Sequence, residues 1–121
     1  MSTIDDKLNY LINREPLVGT LGALQDSFPS ATATIVLNTN YKYSTLNVTS
    51  IISPRGDRTY YGYVWIYKID ENNVETKVLS RETEGTFTDV VNIQDAYKIK
   101  IIARQRQNSK AIATYTLSLP S

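Results

Sequence analysis

The stretch Tyr60 to Ile69, YYGYVWIYKI, constrains this chain more than any other. Branched and aromatic side chains fit a pleated, half-buried surface, so the run reads as a β-strand. Strand alternation places Tyr61, Tyr63, Trp65, Tyr67 and Ile69 on one face and Gly62, Val64, Ile66 and Lys68 on the other. A sheet covered on one side only would carry a polar second face. This run has none, so the strand is expected to be central and covered on both sides. Val64 and Ile66 are then expected to lie under an N-terminal segment or a neighbouring subunit.

The chain divides at about residue 30. In residues 1–30, Ser2 or Thr3 can cap a helix, Asp5 and Asp6 suit its positive end, and Ile4, Leu8, Leu11 and Ile12 recur at helical spacing. Pro16 stops this helix, because the residue before proline resists the α region. Leu17, Val18, Leu21 and Leu24 are again helically spaced, although Gly19 and Gly22 weaken a helix there, and Asp26 to Ser30 reads as a linker. Two short apolar stripes cannot form a core alone. The expectation is an N-terminal helical or extended arm over 1–30, whose Leu8, Leu11, Ile12, Leu17, Val18, Leu21 and Leu24 bind a partner or cap the following domain.

From Ala31 the apolar period changes to two. Ala33, Ile35 and Leu37 alternate with Thr32, Thr34 and Val36, and Leu46 and Val48 share a face with a bulge expected at Ile51–Ile52. Tyr97, Ile99, Ile101 and Ala103 are expected to face inward while Lys98, Lys100 and Arg104 face out. About seven strands separated by turn signals, without β–α alternation, predict an all-β sandwich over residues 31–121.

Composition removes several function classes. The chain has 121 residues, 13 basic and 12 acidic, so no global field selects nucleic acid or a membrane surface. It has neither cysteine nor histidine, which excludes thiolate metal sites and the commonest general base and metal ligand. No apolar run is long enough to span a bilayer as a helix. No nucleophile–base pair or glycine-rich phosphate loop is present, so the reading is non-enzymatic, without cofactor or metal. Arg55-Gly56-Asp57 reads as a turn rather than an integrin motif, and Asp70-Glu71-Asn72-Asn73 as a turn rather than a calcium loop. The basic cluster Lys98, Lys100, Arg104, Arg106 and Lys110 reads as a solvated face. Nine tyrosines against two phenylalanines point to rings with one end packed and the other at water or a partner.

Two resemblances add to this. Trp65 in a third strand, and Asp95-Ala96-Tyr97-Lys98-Ile99 as a tyrosine corner, resemble the immunoglobulin-like sandwich in the broad sense that includes fibronectin type III. That resemblance implies a core tryptophan, with Ile99 and Leu46 or Val48 in place of the disulfide. The opening Ile4-Asp5-Asp6-Lys7-Leu8-Asn9-Tyr10-Leu11 is similar to the start of small structural proteins of tailed bacteriophages. It implies a virion component, assembled in the host cytoplasm, that decorates a capsid or serves a tail. Such a protein would attach to other virion structural proteins through its N-terminal arm and would form a homo-oligomer. The alternative is an adhesion or carbohydrate-binding module in which Tyr41, Tyr43, Tyr60 and Tyr61 stack on a surface glycan.

Overall fold

The structure, a computed structural model, describes residues 17–22, 31–54, 62–105 and 109–120. Its strands are β1 (Leu17–Gly22), β2 (Ala31–Leu37), β3 (Thr45–Pro54), β4 (Tyr63–Ile69), β5 (Glu75–Arg81), β6 (Gly85–Asn92), β7 (Lys98–Gln105) and β8 (Ser109–Ser118). They form two four-stranded antiparallel sheets, in the orders β1-β8-β3-β6 and β2-β7-β4-β5. β1 pairs with β8, β2 with β7, β3 with β6 and β4 with β5, as though one long hairpin had been rolled across two sheets. The β3–β8 and β4–β7 pairings complete each sheet. This is jelly-roll connectivity.

The all-β sandwich expected from the sequence is present, with two corrections. In an immunoglobulin domain the first two strands share a sheet. Here β1 and β2 lie in opposite sheets, and only β4 and β5 are consecutive strands in the same one. The second correction is the extra strand. Leu17–Gly22, expected as helix-spaced arm, is β1, hydrogen-bonded along β8 from Leu17↔Leu117 to Gly22↔Ile112. Its alternation is hidden because the inward position Gly19 has no side chain. The Tyr115 ring lies over it, so closely that a Cβ at Gly19 would meet the ring. The remainder of the expected helical arm, with Leu8, Leu11, Ile12 and Leu24, lies outside the described residues.

The core lies between the sheets. β3 contributes Leu46, Val48 and Ile52, β4 Val64 and Ile66, β7 Ile99, Ile101 and Ala103, and β8 Ala111, Ala113, Tyr115 and Leu117, while Ile93 and Ala96 close one end. Each large aliphatic side chain buried here contributes about 1.5–3 kcal/mol. β3 keeps its alternation to the end, with Ser50 and Ile52 buried and Ile51 turned outward, and no bulge interrupts it. The irregularity is in β5, where Val78 is inserted between the pairs Ile66↔Leu79 and Tyr67↔Lys77. On the side where β5 passes to β6, Arg81 reaches across the sheets to Asp89 through two hydrogen bonds of 3.0 and 2.5 Å. Hydrogen bonding to that carboxylate raises the Arg81 pKa further above its ordinary value.

Trp65 is not a core residue. Val64 and Ile66 hold the inward positions of β4, and Trp65, between them, faces out.

Candidate functional site

The outer face of the β2-β7-β4-β5 sheet carries the concentrated chemistry of the described residues. Its register sets Thr32, Arg104 and Tyr63 in one row, and Thr34, Ile102, Trp65 and Ser80 in the next. Val36, Lys100, Tyr67 and Lys77 form the third. Tyr63, Trp65 and Tyr67 fall on one side of β4 because side chains alternate with period two. The Val78 bulge lets Lys77 meet Tyr67 on the same side.

The rings stand against one another instead of lying flat. Tyr63 stacks on Trp65 with centroids 3.8 Å apart and planes 20° from parallel. The Lys77 ammonium sits 3.7 Å from the Trp65 ring centroid, which places it on the ring face that Tyr63 leaves. It also lies 5.8 Å from the Tyr67 ring, whose other cation neighbour, Lys100, is at 4.8 Å. The result is an alternating stack of Tyr63, Trp65, Lys77, Tyr67 and Lys100. Cation–π contacts at exposed sites contribute about 0.5–1 kcal/mol each.

Hydrogen-bonding groups rim the stack. The Trp65 indole donates to Glu82 at 3.2 Å, and Ser80 donates to the same carboxylate oxygen at 2.7 Å. Lys100 pairs with Glu75 at 2.6 Å, and Arg104 donates to Thr32 at 2.9 Å. Rings, donors and acceptors thus share one surface, the arrangement suited to a ligand with both apolar faces and hydroxyls.

A second polar feature lies at the end of the sandwich. Asn38, Asn40, Tyr97 and Lys98 line a cleft of about 430 Å³. Asn40 and Tyr41 both adopt left-handed backbone, at φ 48° and 62°, a costly conformation for a bulky residue. Bonds from Asn40 N to Tyr97 O and from Tyr41 N to Ala96 O hold it, at 2.8 and 3.0 Å. The buried Thr39 hydroxyl donates to Ala96 O at 2.9 Å. Tyr41 rests at a tilt on Tyr97, centroids 5.8 Å apart. Desolvation, and then the Glu71 carboxylate, push the Tyr41 phenol above its usual pKa. Nearby, a hydrogen bond from Lys68 holds the Asp95 carboxyl below its usual range.

The residues singled out in the sequence are scattered by the fold. Val64 and Ile66 are fully buried between the sheets, so neither offers a surface to a partner. Leu21 turns into the core, whereas Val18 is exposed on the other sheet's outer face. Leu17 lies in β1. Of the tyrosines proposed to stack on sugar, Tyr41 is exposed, Tyr43 packs on the core, and Tyr60 and Tyr61 lie outside the described residues. The alternation of β4 places Tyr63, Trp65 and Tyr67 together on one face, but it does not give that this face is the outer one. Lys77 carried no signal, because its place depends on the bulge. The Asp70 carboxylate accepts the backbone N–H groups of Asn72 and Val74, the work of a turn residue. Among the described residues no cluster of three or more carboxylates stands ready for a metal.

The sequence matches no protein-family model and no curated protein. Its fold does recur in solved structures. The SPBc2 prophage-derived protein YomS superposes with a TM-score of 0.50 at 12% identity, over 85% of this chain and 95% of that one. The CBM22-1 xylan-binding domain of Paenibacillus barcinonensis Xyn10C gives 0.51 at 5% identity, over 88% of each chain. TmCBM61, solved in complex with β-1,4-galactotriose, gives 0.51 at 13% identity over 85% of this chain and 82% of its own. At these identities the likeness establishes the β-sandwich fold alone.

Proposed function

We propose that this chain is a non-enzymatic binding module that takes carbohydrate on the outer face of its β2-β7-β4-β5 sheet. The observation that carries the reading is the Lys77 ammonium on the Trp65 ring face, amid Glu82, Ser80 and Lys100. A sugar places C–H groups on an aromatic face and hydroxyls on flanking carboxylates and ammoniums. Lys77 occupies that position, and its displacement costs only about 0.5–1 kcal/mol. Two neighbours of the same fold, a xylan-binding domain and a domain solved with galactotriose, support a carbohydrate ligand for a chain of this fold.

The test is a glycan array followed by calorimetry on the strongest hit. Trp65→Ala should weaken binding about tenfold or more, as loss of an aromatic anchor does. Lys77→Ala should leave affinity unchanged or raise it a few-fold, because the ring face is already open. An array on which the wild-type protein binds nothing, or binding indifferent to Trp65, would sink the proposal.

A second reading concerns the setting. The chain is proposed as a component of a tailed-phage virion, as capsid decoration or tail accessory, anchored to other virion proteins through Leu8, Leu11 and Ile12. β1 favours an anchor there: it is an edge strand of its sheet and the point at which residues 1–16 join the domain. YomS, a prophage-derived protein, shares the fold. A virion component that also binds surface glycan combines the two readings.

A further inference from the structure

Among the described residues, the face opposite the aromatic stack is uncharged except at one end. In the β1-β8-β3-β6 sheet the outward residues of β1, β3 and β6, and those of β8 from Ile112 to Ser118, are uncharged. Lys110, opposite Ser53, stands at the end of β8. Among the described residues, this four-stranded face takes Lys110 alone, at its end. At its centre Thr20, Thr114, Thr49 and Thr88 stand side by side in one row across all four strands. On one side of that row lie Val18 and Val90, 62% and 68% exposed, and on the other Ile51, 39% exposed. A solvated sheet face ordinarily mixes charges of both signs, and depletion of charge is the compositional mark of an interface centre.

We infer that this face is an isologous interface that docks on a second copy of the same chain. In a twofold dimer a patch must be complementary to itself. A charged patch achieves that only if its signs alternate about the axis, whereas an uncharged, flat row of hydroxyls and methyls meets its own copy without like-charge repulsion. Threonine hydroxyls both donate and accept, so a threonine row can bond to its own image. About 15 outward positions, each occupying roughly 4.8 by 6.7 Å, cover about 500 Å² of sheet. Two copies therefore bury about 1,000 Å², the lower bound of a specific interface. The dimer is accordingly concentration-dependent. The inference is independent of carbohydrate binding, which uses the opposite face.

The test is sedimentation velocity on the full chain over a wide concentration range, at low and high salt. The wild-type protein should pass from monomer to dimer, with no weakening at high salt because no charge pairs hold it. Thr114→Lys should raise the dimer dissociation constant about tenfold or more, since a lysine would have to be desolvated without a partner. Val90→Lys, at a more exposed edge position, should act in the same direction and guards against misfolding of the first variant. Thermal unfolding of both, at a concentration where the wild type is monomeric, should match the wild type. A chain that stays monomeric at every concentration overturns the inference, as does an oligomer that both lysine variants leave unchanged.

Discussion

At the scale of single residues, two polar side chains inside the sandwich carry a cost. Gln105 is fully buried at the inward end of β7, and neither its amide nitrogen nor its amide oxygen has a hydrogen-bond partner among the described residues. The Ser50 hydroxyl on β3 is in the same position. An unpaired buried polar group costs about 1–3 kcal/mol. Gln105→Met keeps the length and flexibility of the side chain and removes the amide. It should therefore raise stability by about 1 kcal/mol in urea denaturation. A loss of stability of similar size would show that the amide has a partner and that the site is polar for a reason. Nothing in the alternation of Lys98 to Gln105 announces this. The period correctly turns Ile99, Ile101 and Ala103 inward, and Gln105 follows them in phase, but a glutamine ending a strand reads as surface.

At the scale of elements, legibility followed the strength of alternation. β2, β3 and β7 are legible from their periods because their inward positions hold mostly aliphatics and most of their outward ones are polar or charged. β1 is not, because its inward position at Gly19 is filled from β8 by Tyr115. The period of β4 gives one aromatic side and one aliphatic side and predicts cover on both. The structure separates them by chemistry: Val64 and Ile66, without polar atoms, go between the sheets, and Trp65 and Tyr67, each with a polar handle, stand half-buried on the outer side with Tyr63 buried beside Trp65. β1 is open to a direct trial with two shortened chains, one beginning at Leu17 and one at Ser30. The first keeps β1 and should fold, while losing the attachment proposed for Leu8, Leu11 and Ile12. The second exposes the edge of β8, uncovers Tyr115 and removes Leu21 from the core, and it should be less stable by about 3 kcal/mol or more. Equal stability of the two would mean that β1 stands outside the cooperative unit, as an independent arm would.

At the scale of the whole molecule, the two outer faces of one sandwich have opposite characters. One is an aromatic and cationic stack rimmed by carboxylates, and the other, among the described residues, is rich in threonine and uncharged except for Lys110 at its end. Because they lie back to back, a dimer formed through the threonine face points its two aromatic faces away from each other. Such a pair cannot grip two adjacent sugars of one short chain, but it can bridge two strands or two sites on a dense glycan surface. Bridging makes the second contact intramolecular, and overall avidity can exceed the single-site affinity by about 10²–10⁴. The expected outcome is a separation of two measurements. Thr114→Lys should leave calorimetric affinity for a short oligosaccharide unchanged, because Trp65 and Lys77 lie on the far face. The same variant should dissociate from an immobilised, densely glycosylated surface about a hundredfold faster than the wild-type chain. Equal dissociation from that surface would mean that each copy binds alone. A fall in affinity for the short sugar would mean that the two faces are coupled through the core that separates them.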